Sequence, residues 1–592
     1  MLGLKNFIRL YLQSQKLQCC YTVSMFSTKQ PKNKVTVSSQ KEVFKIGPTF
    51  QDFLENSLRS AKNANKYSAE SMPDLDHAYL KKEDYQGKGQ KVYMDVYGCQ
   101  MNVNDVEIVW SVLISNGYQK TNKADEADVI LLMTCAIREG AEQKIWNRLD
   151  HLRHLKKRKA AKNDRRVSIG VLGCMAERLK EKLIEKERSI DIVAGPDSYR
   201  DLPRLLTDVT DDPHQSAVNV LLSLEETYAD IIPVRVNPES PSAFISIMRG
   251  CDNMCSYCIV PFTRGRERSR PADSIINEVR YLADEGIKEI TLLGQNVNSY
   301  RDLSDSVYYG GISDKIGDTS TVPGFKTVYK AKKGGRRFAD LLEKISSIVP
   351  NIRIRFTSPH PKDFPDEVLQ LIAERSNICK NLHLPAQSGN NAVLERMNRG
   401  YTRESYLQLV QRVNEIIPGV TLSSDFICGF CGETEDEFQD TLTLVERVQY
   451  QTAYIFPYSM REKTKAHRRL EDNISHDVKT ARVDQLVSSF RDGAEKLNQS
   501  RVGSVQLVLI EGVSKRSADE MAGRSESNVK VIVPQEEIPV AINNDKTAPI
   551  KQGSYVAIKI ISANSQVMRG LPLYHTSIQE FFGEEKRKLI QH

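Results

Sequence analysis

The sequence predicts an α/β multidomain protein. It has an N-terminal doubly wound α/β domain, an open (βα)6 partial barrel and a small C-terminal antiparallel β-barrel. Strands and helices alternate three times between residues 90 and 210, and six times between residues 237 and 495. This alternation is typical of parallel sheets covered by helices. From residue 496 to 575, short apolar runs follow one another without a helical period, which indicates a small β-barrel.

The positive charge is concentrated at the N-terminus. The chain has 592 residues with 83 Lys or Arg and 76 Asp or Glu, a net charge of +7. Residues 1–41 hold seven of the cations and no acid, so residues 42–592 are formally neutral. A cationic, amphipathic and acid-free start is typical of a transit peptide. We expect residues 1–41 to direct the chain to the mitochondrial matrix, with a disordered tail as the alternative, and residues 42–89 to form a polar linker.

The composition is that of a globular protein, with 40% hydrophobic and 27% charged residues. No apolar run reaches the roughly 20 residues that a bilayer-spanning helix needs, so we expect no membrane insertion. The 11 cysteines form an odd number, and a mitochondrial chain with an odd number of cysteines does not suggest a disulfide framework.

In the first domain, each predicted strand ends directly at a cysteine. The strands KVYMDVYG (91–98), ADVILLMT (127–134) and VSIGVLG (167–173) are followed by helical patterns. In a doubly wound sheet the ligand site lies beyond the carboxyl ends of the strands. We therefore expect three cysteines to converge on one face of the sheet: Cys99, Cys135 and Cys174.

The second domain repeats a strand–helix unit six times rather than eight, which predicts an open partial barrel. A Gly- and Lys-rich stretch at 301–337 interrupts the pattern and is predicted to be a surface loop. The predicted strands are 244–250, 288–294, 352–358, 380–386, 420–429 and 452–459.

The third domain is predicted to have strands at VQLVLIEGV (505–513), VKVIV (529–533) and YVAIKIISA (555–563). Turns rich in Gly, Asp and Ser separate them, as in a small antiparallel barrel. The remaining residues, 576–592, form a short polar tail.

The most specific motif is a Cys-x3-Cys-x2-Cys loop directly after the first barrel strand, formed by Cys251, Cys255 and Cys258. A structural zinc site would need a fourth protein ligand, and the next histidine is His360. Three thiolates on a [4Fe-4S] cluster leave one iron open to a small ligand. The spacing therefore favours an iron–sulfur cluster over zinc.

This loop, at the end of the first of six βα units, resembles that of the radical S-adenosylmethionine (SAM) enzymes. The resemblance implies that SAM binds the open iron and that Tyr257 lies near its adenine. It also makes Gln295, Asp425 and Glu433 candidate polar contacts of SAM. The alternative is that glycines alone set the shape of these loops and the three residues have no contact with SAM. The motif DFICGFCGE (425–433) has Cys431 where the family has proline, so Cys428 and Cys431 are predicted to be packing residues, with a redox-sensitive pair as the alternative.

A narrower resemblance is to the methylthiotransferases of that superfamily. It implies a second [4Fe-4S] cluster on Cys99, Cys135 and Cys174 that carries sulfur, and a C-terminal TRAM-like barrel that binds tRNA. All six cluster cysteines would then be catalytic. The motifs are YGCQMN (97–102), MTCAIREGAEQK (133–144), LGCMAER (173–179) and RGCDNMCSYCIVPFTRGRERSR (249–270).

Three further motifs, GCQMN, GQNVNSY and HLPAQSG, resemble the branch that acts on N6-isopentenyladenosine at position 37 of tRNA. The implied product is 2-methylthio-N6-isopentenyladenosine. Methylthiolation of threonylcarbamoyladenosine is the alternative within the family, and a non-enzymatic kinase-regulatory interaction protein is the alternative outside it. The resemblance also implies an electron donor and iron–sulfur assembly factors as partners, and we expect a monomer.

Two cationic stretches are candidates for RNA contact. Arg264, Arg266, Arg268 and Arg270 follow the cluster loop and are predicted to hold phosphates. Pairing with Glu267 and nearby acids is the alternative. The run RHLKKRKAAKNDRR (153–166) fits either a solvated helix face or a tRNA contact.

Overall fold

The computed structural model describes residues 85–136, 139–161, 166–211, 216–304, 324–326 and 334–583. The transit-like segment 1–41, most of the linker, most of the 301–337 stretch and the end of the tail lie outside the described residues. None of the helices it describes is both long enough and apolar enough to cross a membrane.

The first domain is a six-stranded sheet in the order β2-β1-β3-β4-β5-β6, in which all neighbouring strands are parallel. The three predicted strands are present, and three further strands of only two or three residues each were not predicted. The strands are β1 (Lys91–Val96), β2 (Gln119–Lys120), β3 (Val129–Thr134), β4 (Ser168–Gly173), β5 (Ile192–Ala194) and β6 (Ala217–Asn219).

Helices cover both faces of this sheet, which confirms the doubly wound class. Helices α1 and α5 pack on one apolar cluster, and α2 and α3 pack on another on the opposite face. The helical pattern that follows the third predicted strand is broken at Lys180, whose φ is +55°. The helices are α1 (Gln100–Ser115), α2 (Glu139–Ala161), α3 (Cys174–Leu179), α4 (Lys182–Lys186) and α5 (Leu202–Asp211).

The second domain contains two three-stranded parallel sheets, β7-β10-β13 and β14-β15-β16. A parallel bridge between Ile354 and Ile378 links them, so six strands run in sequence order as an open (βα)6 partial barrel. Two short antiparallel pairs, β8–β9 and β11–β12, flank it. The strands are β7 (Ser242–Ser246), β8 (Met248–Arg249), β9 (Arg268–Ser269), β10 (Glu289–Leu293), β11 (Arg301–Asp302), β12 (Arg336–Arg337), β13 (Arg353–Phe356), β14 (Asn381–His383), β15 (Thr421–Cys428) and β16 (Thr452–Pro457).

The helices of the second domain pack their apolar faces on the outside of the barrel strands, in one continuous cluster. The last helix crosses the predicted domain boundary at 495/496 and contacts strands on both sides of it. The helices are α6 (Val260–Thr263), α7 (Ala272–Asp284), α8 (Phe338–Ile348), α9 (Asp366–Glu374), α10 (Asn391–Arg396), α11 (Arg403–Ile416), α12 (Glu435–Val448), α13 (Lys465–Arg469) and α14 (His476–Gln499).

The third domain is a closed barrel in the order β17-β18-β19-β23-β22, with a separate hairpin β20–β21. The predicted antiparallel pattern is wrong at one seam, because β19 and β23 are parallel. Five strands cannot all alternate in direction around a closed ring, so one parallel pair is unavoidable. The strands are β17 (Val505–Val513), β18 (Glu520–Arg524), β19 (Lys530–Pro534), β20 (Glu537–Pro539), β21 (Thr547–Pro549), β22 (Tyr555–Ala563) and β23 (Val567–His575).

The small barrel packs against the amino ends of the partial-barrel strands. Arg353 and Arg355 of β13 are buried beside Glu289, and Arg355 Nε lies 2.9 Å from a Glu289 carboxylate oxygen. Arg353 donates to the carbonyl oxygen of Leu507 at 3.0 Å, and Arg355 donates to that of Ser525 at 2.8 Å. The carboxyl ends of the strands lie at the opposite end, where the two cysteine groups are found.

Candidate active site

The first group of cysteines lies at the carboxyl ends of three adjacent strands. Cys99 is the N-cap of α1 after β1, Cys135 follows β3, and Cys174 begins α3 directly after β4. A Cβ on Gly98, whose φ is +139°, would lie 2.8 Å from the Cβ of Cys135. The convergence predicted from the strand ends is therefore present, and we call these three residues the first triad.

The second triad, Cys251, Cys255 and Cys258, lies on the loop after β8. The N–H of Cys258 donates to the carbonyl of Cys255 at 3.0 Å, which makes the loop a tight turn. Ser256 holds the loop against the end of α10, because its Oγ donates to the carbonyl of Arg396 at 2.6 Å. The loop is thus fixed from within and from a neighbouring helix.

The loop of the second triad contacts the first triad. Ile259, the residue after Cys258, packs in one apolar cluster with Cys174 and Ala136, and Phe262 packs against that cluster. Helix α6, which contains Phe262, lies against α3, which begins with Cys174.

Each triad has a buried guanidinium beside one of its sulfurs. Arg264 Nε donates to Cys174 Sγ at 3.2 Å, and Arg399 Nη1 donates to Cys255 Sγ at 3.3 Å. Arg264 is 3% exposed and Arg399 is 5% exposed. A positive charge this close stabilises thiolate sulfur electrostatically.

Asp105 connects the first domain to the second through two arginines. Its carboxylate is fully buried and lies 2.5 Å from Arg264 Nη2 and 2.9 Å from Arg249 Nη1. These cations hold the pKa of Asp105 below its usual value although burial alone would raise it. Arg249 also stacks over the ring of Tyr228, 4.8 Å from the centroid.

The thiols of both triads have the chemistry that iron requires. Burial raises the pKa of Cys174 to about 12, against the opposing effect of Arg264, and neighbouring Cys135 and Cys99 raise it further. Burial and the nearby Cys255 raise the pKa of Cys258 to about 12. Such thiols give up their protons to a bound cation, and three soft sulfur donors suit iron–sulfur clusters. Within the described ranges, no three His, Cys, Asp or Glu side chains converge on a position for a single metal ion.

The candidate SAM contacts have different surroundings. Tyr257 stands edge-on to Phe430 with ring centroids 6.5 Å apart, and Arg399 Nη1 lies 3.5 Å from its hydroxyl. Gln295 Oε1 accepts the N–H of Gly250 at 2.5 Å and thereby positions the residue before Cys251. Asp425 is partly exposed, 3.3 Å from His383 Nε2.

The fourth candidate, Glu433, has a structural role. Its carboxylate accepts the N–H of Gly429 at 2.6 Å and pairs with Arg482 of α14 at 3.0 Å, so it ties the end of β15 to α14, and its contact with SAM stays a prediction. Cys428 and Cys431 are buried in two different apolar clusters, in agreement with a packing role.

The prediction that four arginines after the cluster loop hold phosphates is wrong for three of them. Arg264, Arg268 and Arg270 are buried and pair with Asp105, Asp197 and Glu278 respectively, so they are not accessible to RNA. Arg266 is exposed, and its Nε lies 2.8 Å from a carboxylate oxygen of Asp252. Structural pairing, the alternative, explains this segment, with Asp105, Asp197, Asp252 and Glu278 as partners.

The described part of the cationic run, residues 153–161 and Arg166, also lies away from the triads. Helix α2 starts near Cys135 and runs back, so its last turns are at the amino ends of the strands. Several of its cations are used within the fold: Lys156 pairs with Asp191 at 2.5 Å, Arg158 pairs with Asp125 at 2.7 Å, and Lys159 donates to the carbonyl of Ala127. This part of α2 is therefore better described as a solvated and ion-paired helix face than as a tRNA contact.

Two features near the triads were not predicted. Arg399 has no local pattern that marks it, because its partner Cys255 is 144 residues away. The stretch REKTKAHRR (461–469) could have been found by counting charge, since it has five Lys or Arg and one acid.

Each of the three domains matches the model of a known protein family. Residues 245–445 match the Radical SAM superfamily, residues 91–195 match Uncharacterized protein family UPF0004, and residues 499–573 match the TRAM domain. The fold and the site therefore define a radical SAM enzyme with an additional cysteine-bearing domain and a TRAM barrel.

The chain is similar along most of its length to curated proteins. It is 51% identical to "Mitochondrial tRNA methylthiotransferase CDK5RAP1" of Mus musculus, over 97% of this chain and 98% of that protein. It is 46% identical to "tRNA-2-methylthio-N(6)-dimethylallyladenosine synthase" of Chloroherpeton thalassium, over 81% of this chain and 95% of that protein. The chain belongs to the tRNA methylthiotransferase family of radical SAM enzymes.

This membership confirms the predicted family and the prediction of an enzyme. The cofactors are those of the family, SAM and two [4Fe-4S] clusters. Among solved structures, the radical SAM methyltransferase TsrM from Kitasatospora setae aligns with a TM-score of 0.42 at 14% identity, over 62% of this chain and 75% of that chain. That likeness is too weak to support an argument about this site.

Proposed function

We propose that the protein inserts a methylthio group at C2 of N6-isopentenyladenosine at position 37 of tRNA, giving 2-methylthio-N6-isopentenyladenosine. The observation that carries the proposal is the packing of Ile259, which follows Cys258 of the second triad, against Cys174 of the first. An adenine that enters between the triads reaches both sites without leaving the protein. Relatives at 46% and 45% identity carry the name of the dimethylallyladenosine-modifying enzyme, which supports this substrate.

In this proposal Cys251, Cys255 and Cys258 hold one cluster, and Cys99, Cys135 and Cys174 hold the other. When bound, the clusters and SAM supply one-electron chemistry and sulfur, which an unactivated aromatic C–H bond requires. Gln295 keeps the start of the second loop in place through Gly250. Arg399 and Arg264 provide positive charge and N–H donors to one sulfur of each triad.

The strands β14 and β15 of the second half-barrel carry neighbouring polar side chains. His383 Nδ1 lies 3.0 Å from Ser423 Oγ, and its Nε2 faces Asp425. Tyr454, 45% exposed, stands on the next strand with its ring 6.1 Å from that of His383. We assign Asp425 and His383 to contacts with SAM or the adenine, because they are polar, adjacent and accessible. Tyr257 is assigned to the adenine of SAM.

We further propose that the enzyme works in the mitochondrial matrix as a monomer, after removal of a segment within residues 1–41. The curated mouse relative is named as mitochondrial, which supports the compartment. An electron-donating protein and iron–sulfur assembly factors are the implied partners, since the clusters must be built and reduced.

The test is mass spectrometry of nucleosides from mitochondrial tRNA of cells that lack the protein. We expect 2-methylthio-N6-isopentenyladenosine to disappear and N6-isopentenyladenosine to accumulate, with recovery by the wild-type chain but not by Cys255→Ala. Loss of a methylthiolated threonylcarbamoyladenosine instead would transfer the assignment to that substrate. Unchanged nucleosides would contradict the proposal and leave a non-enzymatic interaction role to be tested.

A further inference from the structure

The segment after the last barrel strand forms a cationic surface. Between residues 461 and 469, the side chains of Lys463, Lys465, Arg468 and Arg469 are exposed. Two lysines of the first domain lie next to this segment. We call the following residues the basic rim: Lys180, Lys182, Lys463, Lys465, Arg468 and Arg469.

The basic rim lies beside the loop of the second triad and beside the apolar cluster that contains Cys174. The N–H of Ala466 donates to the carbonyl of Ser256, between Cys255 and Cys258, at 2.7 Å. The guanidinium of Arg468 lies over the ring of Phe262, 5.6 Å from its centroid. Phe262 packs against the cluster that contains Cys174. One short helix therefore carries exposed cations beside both sites.

The rim also bridges two domains. Lys463 Nζ donates to the carbonyl of Arg178 at 3.2 Å, four residues after Cys174. Lys182 and Glu462 approach to 3.8 Å, both with largely exposed side chains. These contacts hold the two halves of the rim side by side.

The positive charge of the rim is only partly balanced. Burial lowers the pKa of Lys463, and the nearby Lys180 lowers it further. Lys180 pairs with Glu177 at 3.3 Å. No carboxylate of the described residues lies within ion-pair distance of Lys465 or Arg469. Like charges gathered on one surface attract a polyanion.

We propose that the basic rim binds the phosphate backbone of the RNA substrate next to the base that is modified. This inference rests on the proposed function and names the residues that hold the RNA. An electron-donating protein needs to reach only the second triad, whereas the modified base must reach both. A cationic surface that spans both triads therefore fits the RNA better than it fits an electron donor.

The test compares two double variants of the full chain, loaded with its clusters. Lys465→Gln with Arg469→Gln removes two rim cations. Lys157→Gln with Arg158→Gln removes one Lys and one Arg from the far end of α2 as a matched control. The probe is an unmodified anticodon stem-loop transcript, and its affinity is measured by fluorescence anisotropy at several salt concentrations.

For the rim variant we expect weaker binding at low salt. The slope of log affinity against log salt should fall by about 1.4 to 2, because each lost phosphate contact removes about 0.7 to 1. The control should keep the wild-type slope, and both variants should keep wild-type iron content. An unchanged slope in the rim variant would overturn the proposal. A second result would also overturn it. If the rim variant keeps its RNA affinity but cleaves SAM more slowly with a reduced donor protein than with a chemical reductant, the rim binds the electron donor and not the RNA.

The proposed function has a separate readout, methylthiolation of a stem-loop that carries N6-isopentenyladenosine. If the wild-type enzyme fails to modify this RNA but binds it in a rim-dependent way, the proposed substrate is wrong and the rim is supported. If the wild-type enzyme modifies the RNA and the rim variant binds RNA normally, the proposed RNA-binding role of the rim is wrong and the proposed function is supported.

Discussion

Arg264 donates a hydrogen bond from Nε to the Sγ of Cys174 at 3.2 Å, although 90 residues separate them in the chain. The same guanidinium pairs with Asp105 of helix α1, which begins after Cys99. Arg264, which follows the second triad in the chain, therefore contacts both a sulfur of the first triad and a carboxylate on a helix of the first domain. The relative position of the two triads is thus set by buried charge as well as by apolar contact.

We expect Arg264→Gln to destabilise the protein by about 3 kcal/mol or more, because Asp105 would lose one of its two cations while it stays buried. Arg204→Gln is the control, since Arg204 pairs with Asp201 and Asp208 at 41% exposure and such pairs contribute less than about 1 kcal/mol. Denaturant unfolding measures both. Equal unfolding midpoints for the two variants would show that the buried pair is not needed for stability.

Arg399→Gln should lower the reduction potential of the cluster on the second triad. Its guanidinium, 3.3 Å from Cys255 Sγ, stabilises the more negative, reduced state, and hydrogen bonds to sulfur raise cluster potentials. A loss of about 1.4 kcal/mol corresponds to roughly 59 mV for one electron. The measurement is a redox titration followed by electron paramagnetic resonance, in a background without the first triad. Arg403→Gln, a residue bonded to the Gly389 carbonyl instead, should leave the potential unchanged.

Gly250→Ala should prevent cluster assembly on the second triad. The φ of Gly250 is +76°, and an added Cβ would collide with the carbonyl of Arg266. Gly286 has a φ of +81° with nothing within 4 Å of such a Cβ, so Gly286→Ala carries only the backbone strain of about 1–2 kcal/mol. Iron content separates the two variants. Full iron loading of Gly250→Ala would contradict the prediction, because the loop would then have moved away from the Arg266 carbonyl and still bound its cluster.

The cysteine variants should divide the reaction in two. Cys255→Ala should abolish SAM cleavage, whereas Cys135→Ala should keep SAM cleavage and lose methylthiolation. Each should fall from about eight irons per chain to about four. Cys379→Ala is the control, because Cys379 is a buried cysteine outside both triads, and this variant should keep about eight irons per chain. Retained methylthiolation in both triad variants would refute the site assignment.

Glu107→Gln should make stability less dependent on pH. Burial raises the pKa of the Glu107 carboxyl to about 7, from 4.5. The folded state therefore binds more protons than the unfolded state between these values, and wild-type stability falls as the pH rises through this window. The variant should gain relative stability from pH 5 to pH 8, by about 1.4 kcal/mol per unit of pKa difference. Glu446→Gln, at an exposed position, should show no such trend.

The sequence by itself determined the order of strands and helices, the three-part architecture and the two cysteine triads. Alternating apolar runs are local signals, and parallel strands bring their carboxyl ends together whatever the details of packing. Cysteines at the ends of β1, β3 and β4 were therefore expected to meet, as they do. The strands β2, β5 and β6 were missed because two or three residues give no measurable periodicity.

Only the tertiary structure decided which charges face solvent. Arg264, Arg268 and Arg270 look as available as Arg266 in the sequence, but they are buried because their carboxylate partners come from other elements. Conversely, the cations of residues 461–469 gain their position from contacts with Ser256 and Arg178, which are distant in the chain. Burial and pairing are long-range properties, so no local pattern in the sequence could assign them.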